Sequence, residues 1–123
     1  MISKEIADFL DFIREAEQLN RIARANEAEA NEMTQDILHC LEIEQKKTYN
    51  EKARLAIKLA EVRRDRRAVK DLRETTQPLV DWAQANQGMI NSMRRVLGEI
   101  RKAEKATENR AYTPRTNIME EEK

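Results

Sequence analysis

A stripe of mostly small and apolar side chains runs through the first part of the chain, where Ile6, Phe9, Ile13, Ala16, Asn20 and Ala23 recur at spacings of three and four. That rhythm gathers them on one face of an α-helix and on neither face of a strand, whose period is two. The stripe thins to Ala25, Ala28 and Ala30, then resumes at Met33, Ile37 and Leu41, with Cys40 beside it. Alanine is the best helix former, so the thin stretch continues a helix rather than ending one. One helix is predicted from Ser3, a good capping residue, to about Lys46, with Asn26 as its weak point.

The segment "KKTYNEK" turns the chain. Thr48 precedes Glu51 by three residues, the spacing of a capping box, and Asn50 is an alternative cap. Leu55, Leu59, Val62, Arg66, Val69 and Arg73 then form a second stripe that carries arginine twice where a coiled-coil seam prefers an aliphatic residue. Folding back on the first helix gives a long antiparallel helical hairpin. Pro78 disfavours helical geometry at Gln77 and suits the first turn of a new helix, so the second helix is expected to end in "ETTQPL". A short helix capped by Thr76 then stops at Gly88, and a last helix covers about Met89 to Ala106, with Met89 or Ile90, Met93, Val96, Leu97 and Ile100 facing inward.

Beyond it, "NRAYTPR" reads as an extended C-terminal arm or short edge strand within residues 107–123, because Pro114 holds Thr113 extended. The expected fold class is all-α: one helical domain over residues 1–123, hairpin plus shorter C-terminal helices. Two glycines, two prolines and 4% aromatic residues agree with long helices rather than a sheet or a compact enzyme core. A chain of this size buries only about two thirds of its unfolded surface alone, so an intertwined homodimer or larger assembly is expected.

The zero net charge hides an asymmetry. Residues 1–47 carry six basic against eleven acidic side chains, residues 48–115 sixteen against nine, and the remainder one against three. A coat for nucleic-acid polymers is usually basic throughout, so a polymer is not the expected partner and a local basic patch suits a small anion better. Cys40 stands alone and cannot form an internal disulfide; no apolar run approaches about 20 residues, and residues 1–13 lack the basic start of a secretory signal. A soluble cytoplasmic protein is expected.

Catalytic signals are poor. His39 and Cys40 are adjacent, so on a helix they diverge by about 100° and form neither a nucleophile–base pair nor a metal site; both are expected to be packing residues. There is no glycine-rich phosphate loop and no Glu-x-x-His pair for a di-metal bundle. No catalytic residue, metal or cofactor is expected.

Three stretches carry candidate binding chemistry. Arg63, Arg64, Arg66, Arg67, Lys70 and Arg73 fall within eleven residues, and all but Arg64 share a broad face. They are either a solvated face paired with Asp65, Asp71 and the acidic first helix, or an anion site using guanidinium's bidentate fit to phosphate. Trp82 is either a core residue or, beside Asp81, Gln84, Asn86 and Asn91, a stacking platform whose amide neighbours read the edge of a purine. Arg110, Tyr112 and Arg115 are either an unstructured basic tail or part of a binding arm.

"DILHCLE" (36–42), "EVRRDRRAVKD" (61–71), "QPLVDW" (77–82) and "LGEIRKAEKATENRAYTPR" (97–115) together resemble the phage-encoded Thoeris anti-defence proteins that act as signal sponges. The likeness spans about residues 33–115. It implies a non-enzymatic protein in the cytoplasm of the infected bacterial host. Such a protein would sequester a cyclic ADP-ribose isomer, and in some members cyclic oligonucleotides, in pockets built between the chains of dimers or assemblies of dimers. Carried onto this chain, the resemblance implies Trp82 as the stacking residue, Asn91 or its competitor Asn86 as the amide, and Arg110 and Arg115 as phosphate contacts with Tyr112 at the rim. Arg63, Arg66 and Arg67 complete the candidate ligand set on the residues' own chemistry. The alternative is a helical interaction or assembly module, such as a packaging or regulatory protein, whose arginines serve a partner helix or DNA.

Overall fold

In the computed structural model, which describes residues 1–43 and 48–110, those residues form three α-helices: α1 (Ile2–Ile43), α2 (Tyr49–Ala85) and α3 (Gln87–Glu108). The capping box at the start of α2 is formed. Thr48 Oγ1 accepts from the Glu51 amide at 3.3 Å, and the Glu51 carboxylate accepts from the Thr48 amide at 3.4 Å, satisfying two N–H groups that the helix ladder leaves over.

The 42 residues of α1 span about 63 Å at about 1.5 Å per residue; α2 runs back along it, and α3 completes the return out of step, since the stretch of α1 from Ser3 to Asn20 faces the longer stretch from Thr76 to Glu104. The contacts fix the direction. Asn31 meets Arg66, Glu27 meets Arg73, and Asn20 meets Thr76. At the far end Ser3 donates to the Glu104 carboxylate from both its hydroxyl, at 2.7 Å, and its amide, at 3.1 Å.

The larger apolar side chains along this seam gather in two clusters, with Ala16, Ala23 and Val80 buried between them. One apolar cluster lies where α1 begins, with Leu10, Ile13, Ala83, Ile90 and Leu97 buried and Ile6, Ala7 and Met93 packed against them. A second lies near the turn, with Ala30, Ile37 and Val62 buried and Met33, Leu41, Leu55 and Leu59 around them. Leu10 takes the place expected of Phe9, which is 43% exposed. The reason is a rotation of the seam: in α3 the inward positions are Ile90, Met93 and Leu97, and α1 answers with Ile6, Leu10 and Ile13. Of the alternatives Met89 and Ile90 it is Ile90 that is buried, and Val96, expected to face inward, is exposed. His39 is exposed rather than packed, and Cys40 is half-buried.

Two expected boundaries are corrected. Pro78 lies inside α2, which continues to Ala85, so there is no separate short helix. Proline lacks the N–H that would serve the Glu74 carbonyl and crowds the preceding turn, yet here it points outward and is exposed. Carbonyls in the turn before it take additional donors: Thr75 and Thr76 hydroxyls donate to Leu72 O at 3.1 and 2.8 Å, and Asn20 Nδ2 to Arg73 O at 3.3 Å. With Asn20 bonded on one side and Val80 and Ala83 buried on the other, packing against α1 outweighs the local preference to stop.

The joint falls at Asn86 rather than Gly88. Asn86 adopts φ −120°, ψ 31° and donates to Trp82 O from its amide at 3.0 Å and from Nδ2 at 2.8 Å. Gly88 lies inside α3 without positive φ. The expected arm or edge strand falls largely on residues 111–123, outside the described residues.

Candidate functional site

Between the two apolar clusters, among the buried Ala16, Ala23 and Val80, the seam carries a polar network. Asn20 is 2% exposed, and every end of its amide is engaged. Its Nδ2 donates to Thr76 Oγ1 at 3.0 Å, Gln77 Oε1 at 3.1 Å and Arg73 O at 3.3 Å, while its Oδ1 accepts from Arg24 Nε at 3.0 Å. Arg24 Nη2 also donates to Gln77 Oε1. One turn further along α1, Arg73 donates to the Glu27 carboxylate through Nε at 2.5 Å and Nη2 at 3.4 Å, with the two side chains 25% and 13% exposed. Among the described residues no buried side-chain nitrogen or oxygen lacks a partner.

The Arg73 hydrogen bond holds the Glu27 carboxyl below its ordinary value, against the opposing effect of desolvation and with help from the charges of Arg73, Arg66 and Lys70. The same hydrogen bond raises Arg73. This pair explains why arginine recurs in the second stripe: Arg73 and Arg66 cross the seam to Glu27 and Asn31. Beside the network lies an open groove of about 490 Å³ lined by Glu17, Arg21, Arg24, Gln77, Asp81 and Gln84, among others. Both signs of charge border it, so it presents no uniform field to an ion.

The residues singled out from the sequence are spread along the molecule. Arg63 and Arg67 are exposed and Arg66 is half-buried; Arg63 and Arg66 border a second groove of about 420 Å³ with Asn31, Thr34, Gln35 and Leu38. Trp82 belongs to neither apolar cluster and is 39% exposed. Asn86 sits one turn after it, its amide donating to the Trp82 carbonyl. Asn91 is exposed and accepts from Arg94 Nη1 at 3.2 Å. Arg110 is exposed just past the end of α3, and Tyr112 and Arg115 lie outside the described residues. Nineteen residues of one continuous helix, about 28 Å, separate Arg63 from Trp82. Within one chain, therefore, Arg63 joins Arg66 and Trp82 joins Asn86, but the basic cluster and the tryptophan do not meet.

A feature that the inward stripes overlook is a second apolar stripe beside them. On α1, Phe9, Phe12, Leu19 and Ile22 are exposed; on α2 and α3, Leu72, Trp82, Met89 and Val96 are exposed. Both sets lie on the same side of the helix pair. From seam residue Asn20, the groove-lining Arg24 and Glu17 are rotated one way by about 40–60° and Leu19 the other way by about 100°. From Val80, Gln84 and Gln77 are rotated the first way and Leu79 and Leu72 the second. Since Arg24, Glu17, Gln84 and Gln77 border one groove, the opposite rotation carries both stripes to the other face. The signal was present in the sequence as a repeat of seven: Phe12 with Leu19, and Trp82 with Met89 and Val96.

Compared with known protein families, with curated proteins and with solved structures, the chain matches none. What the described residues define is an all-helical fold with polar-bordered grooves on one side and an exposed apolar stripe on the other. No described helix is long and apolar enough to cross a membrane.

Proposed function

We propose that this chain is a non-catalytic helical interaction module that works by presenting one face of its helix pair to another protein. The observation that carries this reading is the division of the surface: grooves bordered by Arg, Glu, Asp and Gln on one side, exposed Phe, Leu, Ile, Trp and Met on the other. A contiguous apolar patch beyond a few hundred Å² is unusual on a protein that acts alone and marks a surface of association. Installing a photo-reactive side chain at Leu19, on the apolar face, or at Arg21, on the polar face, tests it in cells. Protein adducts are expected at position 19 and not at position 21; adducts at 21 alone, or at neither, would discard the reading.

A second reading is favoured by one observation, the exposure of the Trp82 ring beside exposed Asp81 and Gln84. The chain would then be a sponge resembling the Thoeris anti-defence proteins, holding a cyclic ADP-ribose isomer, and in some cases a cyclic oligonucleotide, in the cytoplasm of an infected host. The separation of Arg63, Arg66 and Arg67 from Trp82 requires that a second chain supply the phosphate contacts, in a homodimer or assembly of dimers. Titration calorimetry with the cyclic ADP-ribose isomer decides it: no heat and an unchanged Trp82 emission remove the sponge.

A further inference from the structure

We propose that the apolar face is covered by a second copy of this chain, giving a two-fold four-helix bundle in which α1 of each copy lies on α2 and α3 of the other. This rests on the interaction-module reading and names its partner. Area is the first argument. With about 150–250 Å² for a large apolar side chain, the exposed fractions of the eight stripe residues, 37–57% each, present roughly 700 Å² per chain. A standard stable interface needs about 800 Å² per partner, so these side chains alone nearly fill one.

Symmetry is the second argument. A two-fold interface requires a patch that complements itself, and this patch has two unlike halves: phenylalanines on α1, methionine and tryptophan on α2 and α3. A two-fold axis parallel to the helices keeps every residue at its own level and exchanges left for right. Since α1 and α2 are antiparallel, each copy's α1 then lies antiparallel to the other's α2, and these four helices alternate in direction around the bundle, with α3 of each copy closing the end past the Asn86 joint. Phe12 comes level with the partner subunit's Met89, a thioether against an aromatic ring, and the partner subunit's Trp82 lies level with Glu15, between Phe12 and Leu19.

Charge is the third. The acidic first third of the chain would face the basic remainder of the other copy, whereas stacking α1 on α1 would oppose like charges. Solvent would keep the polar face with its grooves.

Sedimentation equilibrium on the full chain tests this. The expected mass is twice 14.4 kDa. Phe12→Glu buries an uncompensated charge at the interface and should raise the dissociation constant by more than about 100-fold, with helical circular dichroism unchanged and Trp82 emission shifted to longer wavelength. Met89→Glu, on the other helix, should do the same, and Arg21→Glu on the polar face should leave the dimer intact. A dimer that survives both Phe12→Glu and Met89→Glu would overturn the assigned face. A wild-type monomer at about 100 μM that binds anilinonaphthalene sulfonate, with binding lost in Phe12→Glu, would overturn self-association and leave the interaction module standing. A monomer that binds no dye would overturn both.

Discussion

The two ends of the helix pair and its middle are held by different physics. At the ends, Leu10, Ile13, Ile90 and Leu97 on one side and Ile37 and Val62 on the other exclude water from apolar surface, an interaction that is strong but indifferent to exact register. In the middle, Asn20 needs Thr76, Gln77 and Arg24 at hydrogen-bonding distance, and Glu27 needs Arg73. A slip of one turn would leave these groups buried without partners, at a cost well above what the correct bonds contribute. The ends thus supply most of the stability and the middle selects one alignment out of several that a long two-helix stripe would otherwise permit.

If that division holds, the largest losses come from the ends. Ile13→Ala or Ile90→Ala, each at a position 3% exposed, should cost about 2–5 kcal/mol in urea denaturation; a cost under about 1 kcal/mol would mean that the amino-terminal cluster is not the stabilising one. Asn20→Ala should cost about 1–3 kcal/mol through the partners it strands. Asn20→Leu sharpens the contrast further. It should recover much of that stability but broaden the resonances of α1 in NMR spectra as alternative alignments become populated, and sharp, unique spectra would show that the middle does not select register.

The Glu27–Arg73 pair gives the comparison a pH dependence. Because the folded carboxyl titrates below its ordinary value, its contribution is complete above the unfolded carboxylate pKa, about 4.3, and is lost as pH falls through the depressed folded value. The melting temperature of the native chain should therefore drop on acidification more steeply than that of Glu27→Gln, and parallel curves for the two proteins would remove the pair from the account. Thr48→Ala opens the capping box next to the second cluster and should cost about 1 kcal/mol. The smallest effect has the opposite sign. A Cβ added at Gly98 meets nothing within 4 Å, and its backbone is helical, so Gly98→Ala should stabilise by about 0.4–1 kcal/mol by restricting the unfolded chain.

Much of the fold was legible. The stripe through Ile13, Ala16, Asn20, Ala23, Ala30 and Ile37, though not its Ala25 and Ala28, which are exposed, and the capping box at Thr48 are local patterns, and local patterns survive folding when nothing opposes them. The misreadings occurred where a local preference met a distant contact. Pro78 would end an isolated helix, but a helix already pinned by Asn20 on one side and by Ala83 on the other carries the defect. Gly88 looks like a stop, but the asparagine two residues earlier can bond back to Trp82 O and makes the joint. Of the candidate binding residues, the types were readable and the distances were not: Arg63 and Trp82 lie far apart along one continuous helix.

What the sequence determined by itself is that this chain is helical and where its second helix starts. Periodicity and capping depend only on residues within a turn or two, so no tertiary information is needed to read them. Which stripe is buried within the chain, which is left facing outward with Trp82 on it, and how Asn20 and Glu27 find their partners were decided by the tertiary structure. These depend on the rotation of one long helix about its axis against another, a quantity set by the sum of contacts along the whole seam.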